Sequence, residues 1–384
     1  MDLFLEKMTT LLDKISTLPA YRSLFTRLHE GIESYQDLQG LGLSRAARLP
    51  LVARLHDDLK RPIFLISNRA DRALALHEEL QFWTGETPVS YFPEPNPLFY
   101  EQSAWGKGTR RDRLAVLTML ARTLLPSTPE PSTPPIIVAP VRAVMTRSIP
   151  RRDFLMNTRT LRLSEQLTPE ALTRNWVDIG YAYANIVVQT GQFSRRGGIL
   201  DIWPPGEVLP VRIEFFGDEV DTMRAFDPAT QMTVEKLETV TITPAREILP
   251  AAGEKAGISH KDLSEFHIPL AHPFSGNVLD FLPDNAVIIL DGREFLSAAV
   301  MDIEEESLSR RADAVRAGEI PDDFPVPFMS WSEIEDRFGK RRMVELGYTH
   351  APDQPPLASA FSPGPRFAGK LRDFINYLKD LEKS

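Results

Sequence analysis

Apolar residues at the start of the chain recur at helical spacing. Leu5, Met8, Leu12 and Ile15 stand among charged and polar positions, which predicts an amphipathic first helix. Residues 1 to about 80 read mainly as helix, interrupted at 61–67, where Pro62-Ile63-Phe64-Leu65-Ile66 forms a short apolar run ahead of a helix at 71–83. That pattern is a buried strand and its crossover helix. A helix at 110–125 followed by Ile136-Ile137-Val138-Ala139 repeats the unit, and Val287-Ile288-Ile289-Leu290 supplies a third strand. Continuous apolar runs alternating with helices predict a parallel sheet covered on both faces.

Between the second and third strands the pattern changes. Over residues 158–243, runs at 185–189, 198–203, 211–216, 219–226 and 239–243 are short, largely alternating and separated by Gly, Pro and Asp, which predicts antiparallel strands. Gly217-Asp218 suits a tight hairpin between two of them, because Gly takes the positive φ such turns require. The expected fold class is α/β: a parallel-sheet domain at 1–150 and 245–345, interrupted by an antiparallel β-rich (α+β) domain at 151–244. Proline-rich runs at 126–135 and 352–365 read as a surface loop and a linker. Residues 346–384 are the linker and the start of a following domain, since Leu371, Phe374, Ile375, Leu378 and Leu381 make one helical stripe with nothing left to pack on. The chain is expected to be the N-terminal part of something longer.

Composition narrows the function. The 384 residues carry 44 Lys and Arg against 53 Asp and Glu, a net charge of -9, so any nucleic-acid contact needs a local basic patch. Arg142, Arg147, Arg151, Arg152, Arg159 and Arg162 are such a patch, sufficient for weak, salt-sensitive DNA contact at most. Zero cysteines exclude disulfides, thiolate metal sites and a cysteine nucleophile. Apolar runs such as 286–290 and 135–140 fall far short of the roughly 20 residues needed to cross a bilayer, and no signal peptide opens the chain. A cytoplasmic location without membrane contact is expected.

Candidate chemistry is sparse. The seven histidines include no i, i+4 pair and no G-x-S-x-G elbow occurs, so no metal and no catalytic residue is assigned. Asp302, Glu304, Glu305 and Glu306 precede Arg310 and Arg311 as a solvated helix face. Trp105-Gly106-Lys107-Gly108-Thr109 is a loop entering a basic helix, because neither the first glycine nor the hydroxyl of a phosphate loop is present. Gly42-Leu43-Ser44-Arg45-Ala46-Ala47-Arg48-Leu49 stands where a helicase-type domain carries its phosphate loop. Gly42 holds the first glycine, but Ala47 replaces the second, Arg48 the lysine and Leu49 the hydroxyl that ligates magnesium. Likewise Asp291 ends an apolar strand as in a Walker B motif, with Gly292 where the catalytic acid belongs. These two alignments are either a degenerate nucleotide site or chance. In Gln192-Phe193-Ser194-Arg195-Arg196-Gly197-Gly198, paired arginines beside paired glycines put guanidinium forks on a sheet edge or turn, to bind anions or simply to be solvated.

The runs SRRGGILDIWPP, VRIEFFGDEVDTMRAFDP and VEKLETVTITPAREILP resemble the second domain of UvrB and of transcription-repair coupling factors. The resemblance covers roughly residues 20–340 and places the loop at Gly42 to Leu49 and the VIILDG strand on UvrB's ATP site. SPGPRFAGKLRDFINYL resembles the next stretch of a coupling factor. UvrB would need an intact phosphate loop and a long aromatic hairpin for damaged DNA, for which the interval 92–109 is too short. The resemblance therefore implies the UvrB-like module of a coupling factor: a degenerate helicase-like domain with no cofactor and no ATPase activity. Its inserted domain would recruit UvrA to stalled RNA polymerase in transcription-coupled nucleotide excision repair. RNA polymerase and DNA would be engaged through domains beyond Ser384, including the ATP-dependent translocase motor. It also implies a UvrA contact through Arg196, supported by Arg195 and Phe193, the latter being either apolar contact area or sheet core. UvrB's further arginine, two residues earlier, is Ser194 here, and Arg195 is expected to take its place. Two other readings are a UvrB-like ATP-dependent DNA-damage-binding helicase and a solitary paralogue with an unrelated partner.

Overall fold

The computed structural model describes residues 2–30, 39–125, 133–339, 341–347, 357–361, 365 and 367–383. Most of both proline-rich runs, His350 and the side chains of Leu5, Met8 and Leu381 lie outside the described residues. Thirteen strands are present among them: β1 Ile63–Ser67, β2 Val89–Tyr91, β3 Ile136–Pro140, β4 Arg159–Arg162, β5 Ala182–Tyr183, β6 Gln192–Arg196, β7 Ile199–Ile202, β8 Val211–Phe216, β9 Glu219–Phe226, β10 Thr233–Lys236, β11 Thr239–Ile242, β12 Val287–Leu290 and β13 Arg342–Glu345.

The first sheet has the order β13-β12-β1-β3-β2 and is parallel throughout. All residues of β1, β3 and β12 are buried, as the apolar runs predicted. Successive side chains alternate between its faces. Ile63, Leu65, Ile136, Val138, Val287 and Ile289 pack on the helices Arg45–Leu59 and Ala70–Thr84. Phe64, Ile66, Ile137, Ala139, Ile288 and Leu290 pack on the other face, against the helix Lys107–Arg122 and Leu296 and Val300 of the helix Arg293–Arg316.

Between β3 and β12 the chain builds a six-stranded sheet, β10-β9-β8-β7-β6-β5, and the antiparallel pair β11-β4. The six-stranded sheet is antiparallel except where β5 joins β6. One face is covered by the helix Pro169–Asp178, which opens with Pro169 in its first turn and Thr168 as cap, its hydroxyl accepting from the Ala171 amide at 3.2 Å. Trp176 of that helix meets Phe193, Leu200, Ile202, Val211, Ile213 and Met223 in a separate core. The β8–β9 hairpin turns at Gly217, φ 63°, as expected. Gly197, φ 64°, and Gly198 close a second tight hairpin, β6–β7, so the paired arginines sit at a turn.

Two expectations are corrected. Residues 185–189 are not a strand: the Val188 and Gln189 amides both donate to the Gln192 side chain, at 3.0 and 3.2 Å, folding the segment as a loop, while β5 forms just before it. The helix expected at 110–125 begins and ends three residues earlier, at Lys107 and Arg122. A buried ion pair ties the segment after β11 to the helix Lys107–Arg122: Arg113 Nε and Nη2 donate to both oxygens of Glu247 at 2.6 and 3.0 Å. Thr118 and Thr243 join hydroxyls beside it at 2.8 Å.

Candidate functional site

At residues 41–49 the chain approaching the helix Arg45–Leu59 lies against the end of β13. The amides of Leu41, Gly42 and Leu43 donate to the carbonyls of Glu345, Gly347 and Leu346 at 2.8, 2.7 and 3.1 Å. These three bonds fix the start of the loop to the sheet. Ala47 and Leu49 point into the core beneath the sheet, so Leu49 is a packing residue. Arg48 takes another course. Its Nε donates to the Leu43 carbonyl at 3.2 Å, and its Nη1 bonds Asp291 Oδ1 at 2.7 Å. Arg72, from the helix Ala70–Thr84, donates Nε to Asp291 Oδ2 at 2.8 Å. The acid of the Walker B-like strand is thus enclosed by two guanidinium groups. Gly292 comes next at φ 113°, where a side chain is strained, and a Cβ there would meet the Phe295 ring at 3.0 Å. Beside it, Glu345 accepts from the amides of Arg293 and Gly347 at 2.9 and 2.6 Å, yet burial pushes its carboxyl up to about 7.

The second site is the uncovered face of the six-stranded sheet. Cross-strand register aligns Ser194, Asp201, Arg212, Arg224 and Lys236 in one row and Arg196, Ile199, Glu214 and Thr222 in the next. Asp201 is buried at the centre, accepting from Arg196 Nη2 at 2.8 Å and from Arg212 Nε and Nη2 at 2.7 and 2.9 Å. Arg224 bonds Glu214, and the Arg212 guanidinium lies 4.6 Å from the Phe226 ring centre. The Arg196 side chain remains 54% exposed. Four cations against two carboxylates make this face positive on a chain that is negative overall.

Period two separates the three residues grouped by sequence. Phe193 and Arg195 alternate with Ser194 and Arg196 and face the helix Pro169–Asp178. Phe193 is 4% exposed, edge-to-face with Trp176 at 5.5 Å, and belongs to the core. Arg195 pairs with Glu170 of that helix, a hydrogen bond that holds the Glu170 carboxyl below its ordinary value. Arg195 therefore does not stand in for the arginine missing at Ser194. Among the cations that share a face with Arg196 are Arg212 and Arg224, overlooked in the sequence although the alternation of VRIEFF and TMRAF carries the signal.

The basic patch is partly engaged within the chain. Arg142 is buried against Glu94 at 3.2 Å, Arg147 reaches Glu333 at 3.3 Å, Arg151 donates to the Asp280 carbonyl at 3.2 Å, and Arg159 pairs with Glu165 at 2.5 Å. Arg151, Arg152, Arg159 and Arg162 are exposed, and of the six Arg142, Arg147 and Arg159 are paired with carboxylates. Among the described residues no His, Asp and Glu group could hold a metal ion, and no helix is long and apolar enough to cross a membrane.

Residues 160–248, which contain the charged sheet face, match the UvrB interaction domain family. The chain is 27% identical to the transcription-repair-coupling factor of Bacillus subtilis over 80% of its own length and 28% of the relative's. It is 30% identical to that of Myxococcus xanthus over 59% of this chain and 19% of the relative, and 29% identical to that of Escherichia coli over 53% and 17%. The chain thus spans under a third of the length of these relatives. The chain is thus similar to the transcription-repair-coupling factors, and its residues 160–248 match the UvrB interaction domain family.

Proposed function

We propose that this chain is the recruiting module of a transcription-coupled nucleotide excision repair protein: the β sheet binds UvrA, and the chain itself turns over no ATP. The observation that carries the reading is Arg196, half exposed on the uncovered sheet face within the segment matching the UvrB interaction domain, its guanidinium fixed by buried Asp201. A fork so held meets an acidic partner with little ordering cost. Arg212 and Arg224 extend the same positive face. In this reading residues 151–244 are the recruiting domain, residues 1–150 with 245–345 are its inactive α/β support, and residues 346–384 are a linker and the start of another domain. The absence of ATP turnover rests on Leu49 facing the core and on the Arg48–Asp291 pair.

The test is binding of UvrA to the wild-type chain and to Arg196→Glu, with circular dichroism to establish that the variant is folded. Truncating one member of a hydrogen-bonded interfacial charge pair costs about 2 to 5 kcal/mol, or about 30-fold to several thousand-fold in dissociation constant. A folded variant that binds UvrA as tightly as wild type refutes the assignment. Titration with ATP and magnesium should give no turnover. Hydrolysis abolished by Asp291→Ala would restore the UvrB-like enzyme as the better reading.

A further inference from the structure

The surface beside the Arg48–Asp291 pair is not closed. A cavity of about 470 Å³ opens over it, lined by Arg45, Arg48, Arg69 and Arg72 against only Asp71 and Asp291. Both aspartates already face arginines, and Asp291 has no oxygen left for a cation. Asp291 accepts guanidinium hydrogen bonds on both oxygens, at 2.7 and 2.8 Å, and Asp71 accepts from Arg69 Nε at 3.1 Å. That leaves an excess of two positive charges facing one space. Arg45 is exposed and makes no ion pair among the described residues, and Arg69 engages Asp71 through Nε alone among its nitrogens, its side chain 71% exposed. The remaining wall is Asn68, Ala75 and Phe295, whose ring is 58% exposed.

A site that holds a nucleotide through magnesium needs a free acid and a hydroxyl after the loop's cation, whereas here Asp291 is paired on both oxygens and Leu49 faces the core. What replaces them is a set of planar forks suited to tetrahedral oxyanions. The excess charge matches a phosphate monoester, which carries about -1.5 to -2 at neutral pH. The volume lies within the roughly 300 to 1,000 Å³ of small-ligand sites. We propose that this cavity binds, without any metal ion, a small phosphate-bearing anion gripped by Arg45 and Arg69, with the Asp291-braced Arg72 behind it and Phe295 as the wall for an organic remainder. This site lies on the parallel-sheet domain and is independent of the UvrA reading.

The probe is inorganic pyrophosphate, titrated calorimetrically into the whole chain at low salt with a chelator present. The expected result is saturable binding that weakens as salt is added and is unchanged by magnesium. Arg45→Ala and Arg69→Ala should each weaken it tenfold or more, about 1.4 kcal/mol apiece, whereas Arg316→Ala, a surface arginine on the helix Arg293–Arg316, leaves it unchanged. Both target side chains are solvent-exposed, so the variants fold. A second arm uses ATP in chelator: binding equal to pyrophosphate, lost in the same two variants, supports recognition of the phosphates. No saturable binding of pyrophosphate, a requirement for magnesium, or undiminished binding in the double variant overturns the proposal. So does displacement of pyrophosphate by a single-stranded oligonucleotide at lower concentration than by ATP, because the cavity would then be part of a nucleic-acid path.

Discussion

Removing the Arg113 guanidinium tests how the segment after β11 is held to the helix Lys107–Arg122. Arg113 and Glu247 have side-chain exposures of 0% and 2%. Besides the bidentate pair, Arg113 Nη1 donates to the Pro93 carbonyl at 3.0 Å, and its charge lies 4.2 and 4.7 Å from the ring centres of Phe92 and Trp105. In Arg113→Met the stem still packs, but Glu247 keeps only the Ser148 hydroxyl, which donates to it at 2.6 Å. An exposed pair would be worth about 0 to 1 kcal/mol; a buried carboxylate stripped of its partner costs about 3 to 5 kcal/mol. The expected outcome is a fall of that size in the free energy of urea unfolding, read as a lower midpoint at unchanged slope. The double variant Arg113→Met with Glu247→Leu should recover most of the loss, because no charge is then left buried. A single-variant cost below about 1 kcal/mol, or a double variant no more stable than the single, would refute the reasoning.

Phe193→Ala should cost about 3 to 5 kcal/mol of stability, since the ring is buried against Trp176 and Tyr183 at 5.5 and 5.7 Å. UvrA affinity per folded molecule should hold, and a loss of affinity without a loss of stability would return Phe193 to the interface. Glu345, pushed up to about 7, binds its proton more tightly folded than unfolded. Its contribution is therefore complete below the ordinary carboxyl range and is lost as pH rises through about 7. Unfolding curves at a series of pH values should show a loss there that Glu345→Gln flattens, and superimposable profiles would count against it.

Legibility in the sequence tracks burial. The central strands β1, β3 and β12 are buried on both faces and announce themselves as apolar runs. The edge strands do not: every residue of β10 is exposed, and β13 begins and ends on the charged residues Arg342 and Glu345. Residues 185–189 carry strand-like Ile186 and Val188, but these are 53% and 59% exposed and have no neighbouring strand. Local preference without a partner does not make a sheet. At the charged face, the position of Arg196 was readable from the glycines after it. Its separation from Phe193 was readable too, because residues three apart in a strand point to opposite faces. The pairing of Arg48 with Asp291 was not, since they stand 243 positions apart and only the fold brings them together.

That pairing also explains why an acid is kept buried beside a central strand. Asp291 ends a central strand with 3% of its side chain exposed, and a carboxylate so placed needs cationic partners whether or not a metal is used. Arg48 and Arg72 supply them from the two helices packed on the same sheet face. The bond from Arg48 Nε to the Leu43 carbonyl at 3.2 Å ties in the loop before the helix Arg45–Leu59. A rigid fork can span loop and strand at once, where an ammonium would act as a single point charge. The site is a brace, and the charge that Arg45 and Arg69 add at its mouth is in excess of what bracing Asp291 requires.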